Sequence, residues 1–496
     1  MPWTSDHIIL SAAEMLAVDQ AAIEGGAPGR ALMEAAGQAV ADAALEAPGN
    51  HQTILILAGP GNNGGDGYVA ARLLSEAGRQ VRVAALGEAK LAGDARWARD
   101  GWQGDVTEID PGLDLNADII IDALFGTGLG RAIMGDLARV IKSVNESPAH
   151  RIAVDMPSGI SGDTGAVLGV AFKAHQTVTF FRKKRGHFLL PGREYAGELT
   201  LHDIGIEDKY LRAVQAECFE NHPDGWLDRL PHPDLSGHKY DRGHLVVAGG
   251  GMELSGAARL AARAALRAGA GLVTTAVPRE SLPVYARQQL AVMSKGVDSL
   301  AEFDELLLGK KINTLVIGPG NGVGEETATR TLSALAKKMA VVIDADAISS
   351  FKNNPRQLFD ALAASDANCV LTPHAGEFAR LWPDLDARAD KLTAVRDAAA
   401  RAGAVVLLKG ADTVIAGPGG QTVLNAHAPA TLATAGSGDV LAGLIGGLLA
   451  QRMPALEAAA AAAWMHGEAA YLLGPGLIAD DLCEKIPDVL NALSAP

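Results

Sequence analysis

Thr53-Ile54-Leu55-Ile56-Leu57-Ala58-Gly59-Pro60-Gly61-Asn62-Asn63-Gly64-Gly65-Asp66-Gly67 is the stretch from which the fold is read. Its first six residues form an unbroken apolar run, which suits a strand covered on both faces. The glycines that follow let backbone approach a ligand closely, and a helix starting near Tyr68 would aim free N–H groups at an anion. No Lys-Ser/Thr pair follows, so this is not a Walker loop, and its spacing is not the usual dinucleotide fingerprint. Asn62, Asn63 and Asp66 add donors and acceptors suited to hydroxyls, amides or a cation.

Outward from this stretch, strand-length apolar runs ending in Gly, Pro or Asp alternate with Ala/Leu-rich helical stretches. The first half has Ala117–Asp122, Arg151–Asp155 and Thr177–Phe181. The second half has His244–Ala248, Leu272–Val277, Thr314–Ile317, Ala340–Asp344, Cys369–Leu371 and Ala404–Leu408. Such alternation predicts an α/β fold, with parallel sheets sandwiched between helices in three layers. The rhythm breaks between Gly205 and Tyr240, where Pro223, Pro231 and Pro233 interrupt a polar segment. A linker is expected there, with domains at 1–215 and 225–496. The halves share no motif, which points to a fusion.

Composition narrows the function classes. The 496 residues exceed one ordinary core. A net charge of −15 argues against binding nucleic acid. The longest apolar run, Val440 to Ala450, contains three glycines and is shorter than the roughly 20 residues that span a bilayer. No membrane partner is expected. The three cysteines, Cys218, Cys369 and Cys483, form no C-x-x-C pair. Together with the lack of a signal-like N-terminus they suggest reduced thiols in a cytoplasmic protein. The basic run Arg182-Lys183-Lys184-Arg185 reads first as a solvated loop, and second as a contact to a ligand phosphate. The Ala-rich stretch Ala458–Trp464 would pack against another subunit as readily as in a core, and a homo-oligomer is expected.

Two further loops of the first half follow strands. One is Asp122-Ala123-Leu124-Phe125-Gly126-Thr127-Gly128-Leu129-Gly130-Arg131, the other Asp155-Met156-Pro157-Ser158-Gly159. A lone Asp at a strand end is often a helix cap. Three such loops on one sheet edge favour a site, with hard oxygens for a cation and a carboxylate for proton transfer. These segments resemble the NAD(P)H-hydrate epimerase domain, a Rossmann-like fold. The resemblance implies substrate contacts at Asn62, Asn63, Gly64, Gly65 and Asp66, at Gly126, Thr127, Gly128, Leu129, Gly130, Arg131 and Ala132, and at Asp155. It also implies a potassium ion held by Asn63, Asp122 and Ser158. Asp155 is the candidate acid/base group.

In the second half, Ala433-Thr434-Ala435-Gly436-Ser437-Gly438-Asp439-Val440 opens a helix whose first N–H groups would converge on a transferring phosphoryl group. Asp439 is placed to take a proton from an attacking hydroxyl; otherwise it caps the helix. With Thr372-Pro373-His374-Ala375-Gly376-Glu377 and Lys409-Gly410-Ala411-Asp412-Thr413, it resembles the ribokinase superfamily and, within it, the ADP-dependent NAD(P)H-hydrate dehydratase. That implies substrate contacts at Ala257, Gly322, His374 and Asp439, and ADP contacts at Lys409, Gly410, Ala411, Asp412, Thr413 and Gly438. Glu377 would organise Mg2+ through water. The expected activity is repair of hydrated NADH and NADPH, epimerisation in one domain and ADP-driven dehydration in the other. The rival is a vitamin-precursor kinase of the same superfamily with a dinucleotide-sensing first domain.

Overall fold

The structure, a computed structural model, describes residues 3–49, 51–87, 91–287, 290–309 and 311–494. The chain divides into two compact units, Ile8–Ala216 and Glu217–Pro496, the second taking in the described part of Met1–His7.

The first unit is built on a seven-stranded sheet. Its strands are β1 (Thr53–Ala58), β2 (Gln80–Ala85), β3 (Val106–Glu108), β4 (Ile119–Ala123), β5 (His150–Val154), β6 (Gln176–Phe180) and β7 (Glu198–His202). Their order is β3-β2-β1-β4-β5-β6-β7, with every pairing parallel. The order reverses between β1 and β4. A crevice opens at such a point, outside the carboxyl ends of the strands.

The helix after β1 begins at Asn62, not near Tyr68, and runs to Glu76. Its first-turn glycines are needed for packing: a Cβ on Gly64 would lie 1.9 Å from the Gly59 carbonyl oxygen, and one on Gly65 would lie 2.6 Å from Met33 Sδ. The helix therefore starts directly against the strand it follows.

The second unit has ten strands: β8 (Cys218–Glu220), β9 (His244–Ala248), β10 (Leu272–Val277), β11 (Met293–Gly296), β12 (Ile312–Ile317), β13 (Ala340–Ile343), β14 (Cys369–Leu371), β15 (Val405–Leu408), β16 (Thr413–Ala416) and β17 (Thr422–Asn425). Their order is β11-β10-β9-β12-β13-β14-β15-β16-β17-β8. Only the β15–β16 and β16–β17 pairs are antiparallel. Here the reversal lies between β9 and β12, and helix Ser437–Ala450 packs against β9, β12 and β13.

Two expectations about the domain bounds are corrected. The expected linker contains β8, which pairs in parallel with β17, so the second unit starts at Glu217 and not at 225. Trp3 stacks on Phe219 with ring centroids 5.7 Å apart, which ties the N-terminal residues to that unit and removes them from a 1–215 domain. Ala458 to Ala463 are buried in helix Ala455–Leu473, while Trp464 and Glu468 on the same helix are half-buried and Tyr471 is exposed. Among the described residues no helix is long and apolar enough to cross a membrane; Val440–Ala450 is a buried core helix segment.

Candidate active sites

Loops leaving the carboxyl ends of β1, β4 and β5 enclose a cavity of about 970 Å³. Asn62, Asn63, Asp66, Gly126 to Arg131 and Asp155 line it, joined by Asp19 and Lys184. Gly64, Gly65 and Ala132, expected to touch substrate, are absent from the lining. The two glycines face the interior, and Ala132 lies exposed beyond the loop.

Asp155 follows β5 with a φ of 64°, a left-handed conformation unusual for a side-chain-bearing residue. Its backbone is clamped on both sides. Its N–H donates to Val178 O (2.7 Å), and its carbonyl accepts from His187 Nε2 (2.9 Å). His187 Nδ1 accepts from the Lys184 N–H at 3.0 Å, which assigns the proton to Nε2. Burial and the Lys184 charge push the imidazole down to about 3, so it is neutral.

The Asp155 carboxylate is engaged at both oxygens. Oδ1 accepts from Lys184 Nζ (2.6 Å) and Thr179 Oγ1 (3.1 Å); Oδ2 accepts from Thr127 N (2.9 Å) and Thr127 Oγ1 (2.7 Å). Burial alone would raise its pKa. The ammonium of Lys184 and these donors outweigh burial and hold the carboxyl well below the usual range. It does not cap a helix.

Lys184 is only 1 % exposed at its side chain, while Arg182 and Arg185 pair with Asp208 and Glu14. The basic run is thus no solvated loop. Its third residue turns inward onto β6, where Nζ also donates to Thr179 Oγ1 (2.9 Å) and Phe180 O (3.2 Å).

Three other carboxyls line the cavity, those of Asp19, Asp66 and Asp94. Burial, with Asp155 and Asp19 nearby, raises Asp66 well above the ordinary value. Burial chiefly raises Asp19 to about 6. Behind the wall, Asp122 is fully buried and accepts from Ser158 N (2.7 Å), Ser158 Oγ (2.7 Å) and Leu124 N (3.2 Å). These donors are neutral, and burial still lifts Asp122 to about 6. Asn63 Nδ2 is buried with no partner among the described residues. A Cβ added to Gly126 would meet both Asn63 Oδ1 (3.0 Å) and Asp155 Oδ2 (2.8 Å), so only glycine keeps that turn open.

In the second unit, Gly436 at φ 86° caps helix Ser437–Ala450. Asp439 lies in the first turn and makes no capping bond. Burial and Asp344 raise it to about 6, against the lowering effect of Lys409. Lys409 Nζ donates to Asp344 Oδ1 (2.7 Å), which also accepts from Thr372 Oγ1 (2.8 Å). Burial works against the Lys409 charge, yet Asp344, Glu377 and Asp439 raise its pKa above the ordinary value.

His374 and Glu377 form a capping box. His374 Nδ1 accepts from Gly376 N (2.9 Å), while Glu377 Oε2 accepts from His374 N (2.8 Å). Gly322 N donates to Asp346 Oδ2 (2.8 Å), and Ala257 Cβ lies 3.6 Å from a Cβ built on Gly320. A Cβ on Gly438 would sit 3.6 Å from Lys409 Nζ. The side chains of Asp412 and Thr413 are committed internally, to Lys391 and to Gly410 O (2.7 Å), so that turn offers a ligand its backbone.

Sequence reasoning missed Lys184, Thr127's double donation, Asp344 and Asp346. Asp344 ends an apolar strand, the signal that singled out Asp122 and Asp155.

Residues 29–186 match the family model described as YjeF-related protein N-terminus, and residues 245–487 match the NAD(P)H-hydrate dehydratase model. The bifunctional NAD(P)H-hydrate repair enzyme Nnr of Moorella thermoacetica is 38% identical over 98% of this chain and 97% of its own. The chain belongs to the bifunctional NAD(P)H-hydrate repair enzyme family. The Escherichia coli member is 35% identical over 93% of this chain and 89% of its own. Among solved structures, the ADP/ATP-dependent NAD(P)H-hydrate dehydratase of Bacillus subtilis, co-crystallised with ATP/Mg2+, is similar to 55% of this chain and 98% of its own, at 25% identity and a TM-score of 0.48. The two matched regions of this family member divide between the two units. The first carries Asp155 and Lys184, the second Asp439 and Lys409.

Proposed function

We propose that the first unit interconverts the R and S hydrates of NADH and NADPH, and that the second dehydrates the S hydrate using ADP, releasing AMP, phosphate and the restored cofactor. The observation that carries this reading is a pair of strand-end clefts on one chain of this family. One holds a carboxylate kept ionised beside a deep cavity, and the other a carboxylate at a glycine-capped helix terminus.

In the first cleft the hydrate's nicotinamide ring would lie against Asp155, which exchanges a proton with water or hydroxyl at the ring carbon next to nitrogen. Potassium fits the wall behind it, held by Asn63, Asp122 and Ser158. Asp122 is a fully buried carboxylate with only neutral donors, and a monovalent cation would offset that burial. When bound, the ion supplies fixed positive charge that holds the Asp122 loop against the Ser158 loop.

In the second cleft Asp439 takes the proton of the ring hydroxyl as its oxygen attacks the terminal phosphorus of ADP. AMP leaves, and the first N–H groups of helix Ser437–Ala450 meet the charge on the transferring phosphoryl group. The ring nitrogen's electron pair then expels phosphate, and loss of a proton from the neighbouring carbon regenerates the dihydronicotinamide. Lys409 Nζ, donating to Asp344 Oδ1, holds that side chain in place. Asp344, Asp346 and Glu377 supply hard oxygens suited to magnesium, which when bound neutralises phosphoryl charge.

The test is to incubate hydrated NADH with the chain, with and without ADP, and to follow dihydronicotinamide absorbance and the epimer ratio. Recovery with ADP and interconversion without it are expected. A vitamin-precursor kinase would restore no absorbance, and a dinucleotide sensor would leave the epimer ratio unchanged.

A further inference from the structure

The carboxyl of Asp66 stands apart from its neighbours. The residue is 9 % exposed and lines the first-unit cavity. Buried carboxylates in proteins are paired or hydrogen-bonded, as Asp155 is by Lys184 and Thr127 and Asp122 is by Ser158. Asp66 has no side-chain partner among the described residues, and the helix it stands on has no side-chain cap bond. Its charged cavity neighbours are Asp19, Asp94, Asp155, Arg131 and Lys184, and the one buried cation, Lys184, is already committed to Asp155. A carboxyl placed this way rests neutral, with an O–H free to donate into the cavity.

We propose that Asp66 donates the proton on which the ring hydroxyl leaves, and that Asp155 receives the proton of the water that returns. This rests on the epimerase reading of the first unit. Protonation by Asp66 lets the carbon–oxygen bond break, with the ring nitrogen's lone pair forming a carbon–nitrogen double bond and water departing. The intermediate is a cation, formed in a cavity lined by four carboxyls, Asp19, Asp66, Asp94 and Asp155, an arrangement that stabilises developing positive charge. Water adds to the other face of the carbon, its oxygen forming the new bond and its proton passing to Asp155. One proton has then moved from Asp66 to Asp155, and the reverse epimerisation, or relay through cavity water, returns it. The mirror-image use of the two acids serves both directions of the inversion.

Asp66→Asn keeps the shape and removes the proton. Its kcat for epimer interconversion should fall by about 10²–10⁴-fold, with KM and near-ultraviolet circular dichroism little changed. A second measurement uses the unaltered chain in heavy-oxygen water, where each inversion should place solvent oxygen on the ring carbon. Inversion with the original oxygen retained would overturn the proposal, because it requires ring opening at nitrogen instead. So would an Asp66→Asn chain that loses less than about tenfold in kcat. If the unaltered chain does not interconvert the epimers at all, the epimerase reading itself fails. Normal interconversion with an indifferent Asp66→Asn variant removes only this assignment.

Discussion

Lys184→Met removes the buried cation from under Asp155, and its cost can be worked from the contacts. Lys184 Nζ makes three bonds, to Asp155 Oδ1 (2.6 Å), Thr179 Oγ1 (2.9 Å) and Phe180 O (3.2 Å), from a side chain 1 % exposed. Breaking a buried pair by removing one partner costs about 3–5 kcal/mol. Asp155 keeps three other donors, two from Thr127 and one from Thr179, and its side chain is 16 % exposed, so the low end, about 3 kcal/mol, is expected. The pH dependence has a definite sign. Asp155 has a folded pKa depressed below its unfolded value of about 3.9, so its contribution is fully present well above that value and fades as pH falls toward the folded one. The gap between the two proteins should therefore be widest at neutral pH and narrow below about pH 5. Urea unfolding of the full chain, read by pulse hydrogen exchange in peptides covering β5 and β6, measures the first unit separately. A gap under about 1 kcal/mol at neutral pH, or one that does not narrow in acid, would refute the reasoning. Epimerisation should fall with it, since Asp155 would lose the ammonium that orients its carboxylate.

Asp439→Ala should abolish ADP-dependent dehydration, and the rate of the unaltered chain should rise as pH passes through about 6, because a base must be ionised and burial with Asp344 lifts this one to about 6; a flat profile measured by product release would contradict its role. Lys409→Met removes the charge that lowers Asp439, so that limb should move to higher pH along with weaker nucleotide binding, both read from steady-state kinetics. Asn63→Ala should weaken the dependence of epimerisation on potassium, which titration of the salt at constant ionic strength would reveal. Gly64→Ala forces a Cβ to 1.9 Å from the Gly59 carbonyl, and overpacking against rigid backbone should destabilise the first unit by about 1–3 kcal/mol in the same urea assay.

Much of this architecture was already present in local patterns. Apolar runs of strand length, each ending at Gly, Pro or Asp, located the central parallel strands. Asp122 at the end of β4, and Asp155 and Lys409 directly after β5 and β15, lie at the carboxyl-end edges of their sheets because parallel strands deliver every carboxyl-end loop to one edge. Asp439 was legible for a similar reason: a Gly-Ser-Gly turn before an apolar helix announces a helix terminus from sequence alone.

What escaped were the pairings between distant segments. Lys184 sits in a run of four basic residues, and nothing local distinguishes it from Lys183. It is buried because the turn after β6 folds back on that strand and Asp155 waits 29 residues earlier. β8 lay in a proline-rich stretch and became a strand only because β17 left an edge for it. Gly64 packs against Gly59 and Gly65 against Met33 and Ala95, contacts that no local pattern announces. Local composition thus determined which segments become strands, turns and helix ends, since backbone preference and burial pattern act over a few residues. Which charge meets which, and which carboxyl is left without a partner, was decided by the tertiary structure, because desolvation and ion pairing depend on atoms that only folding brings together.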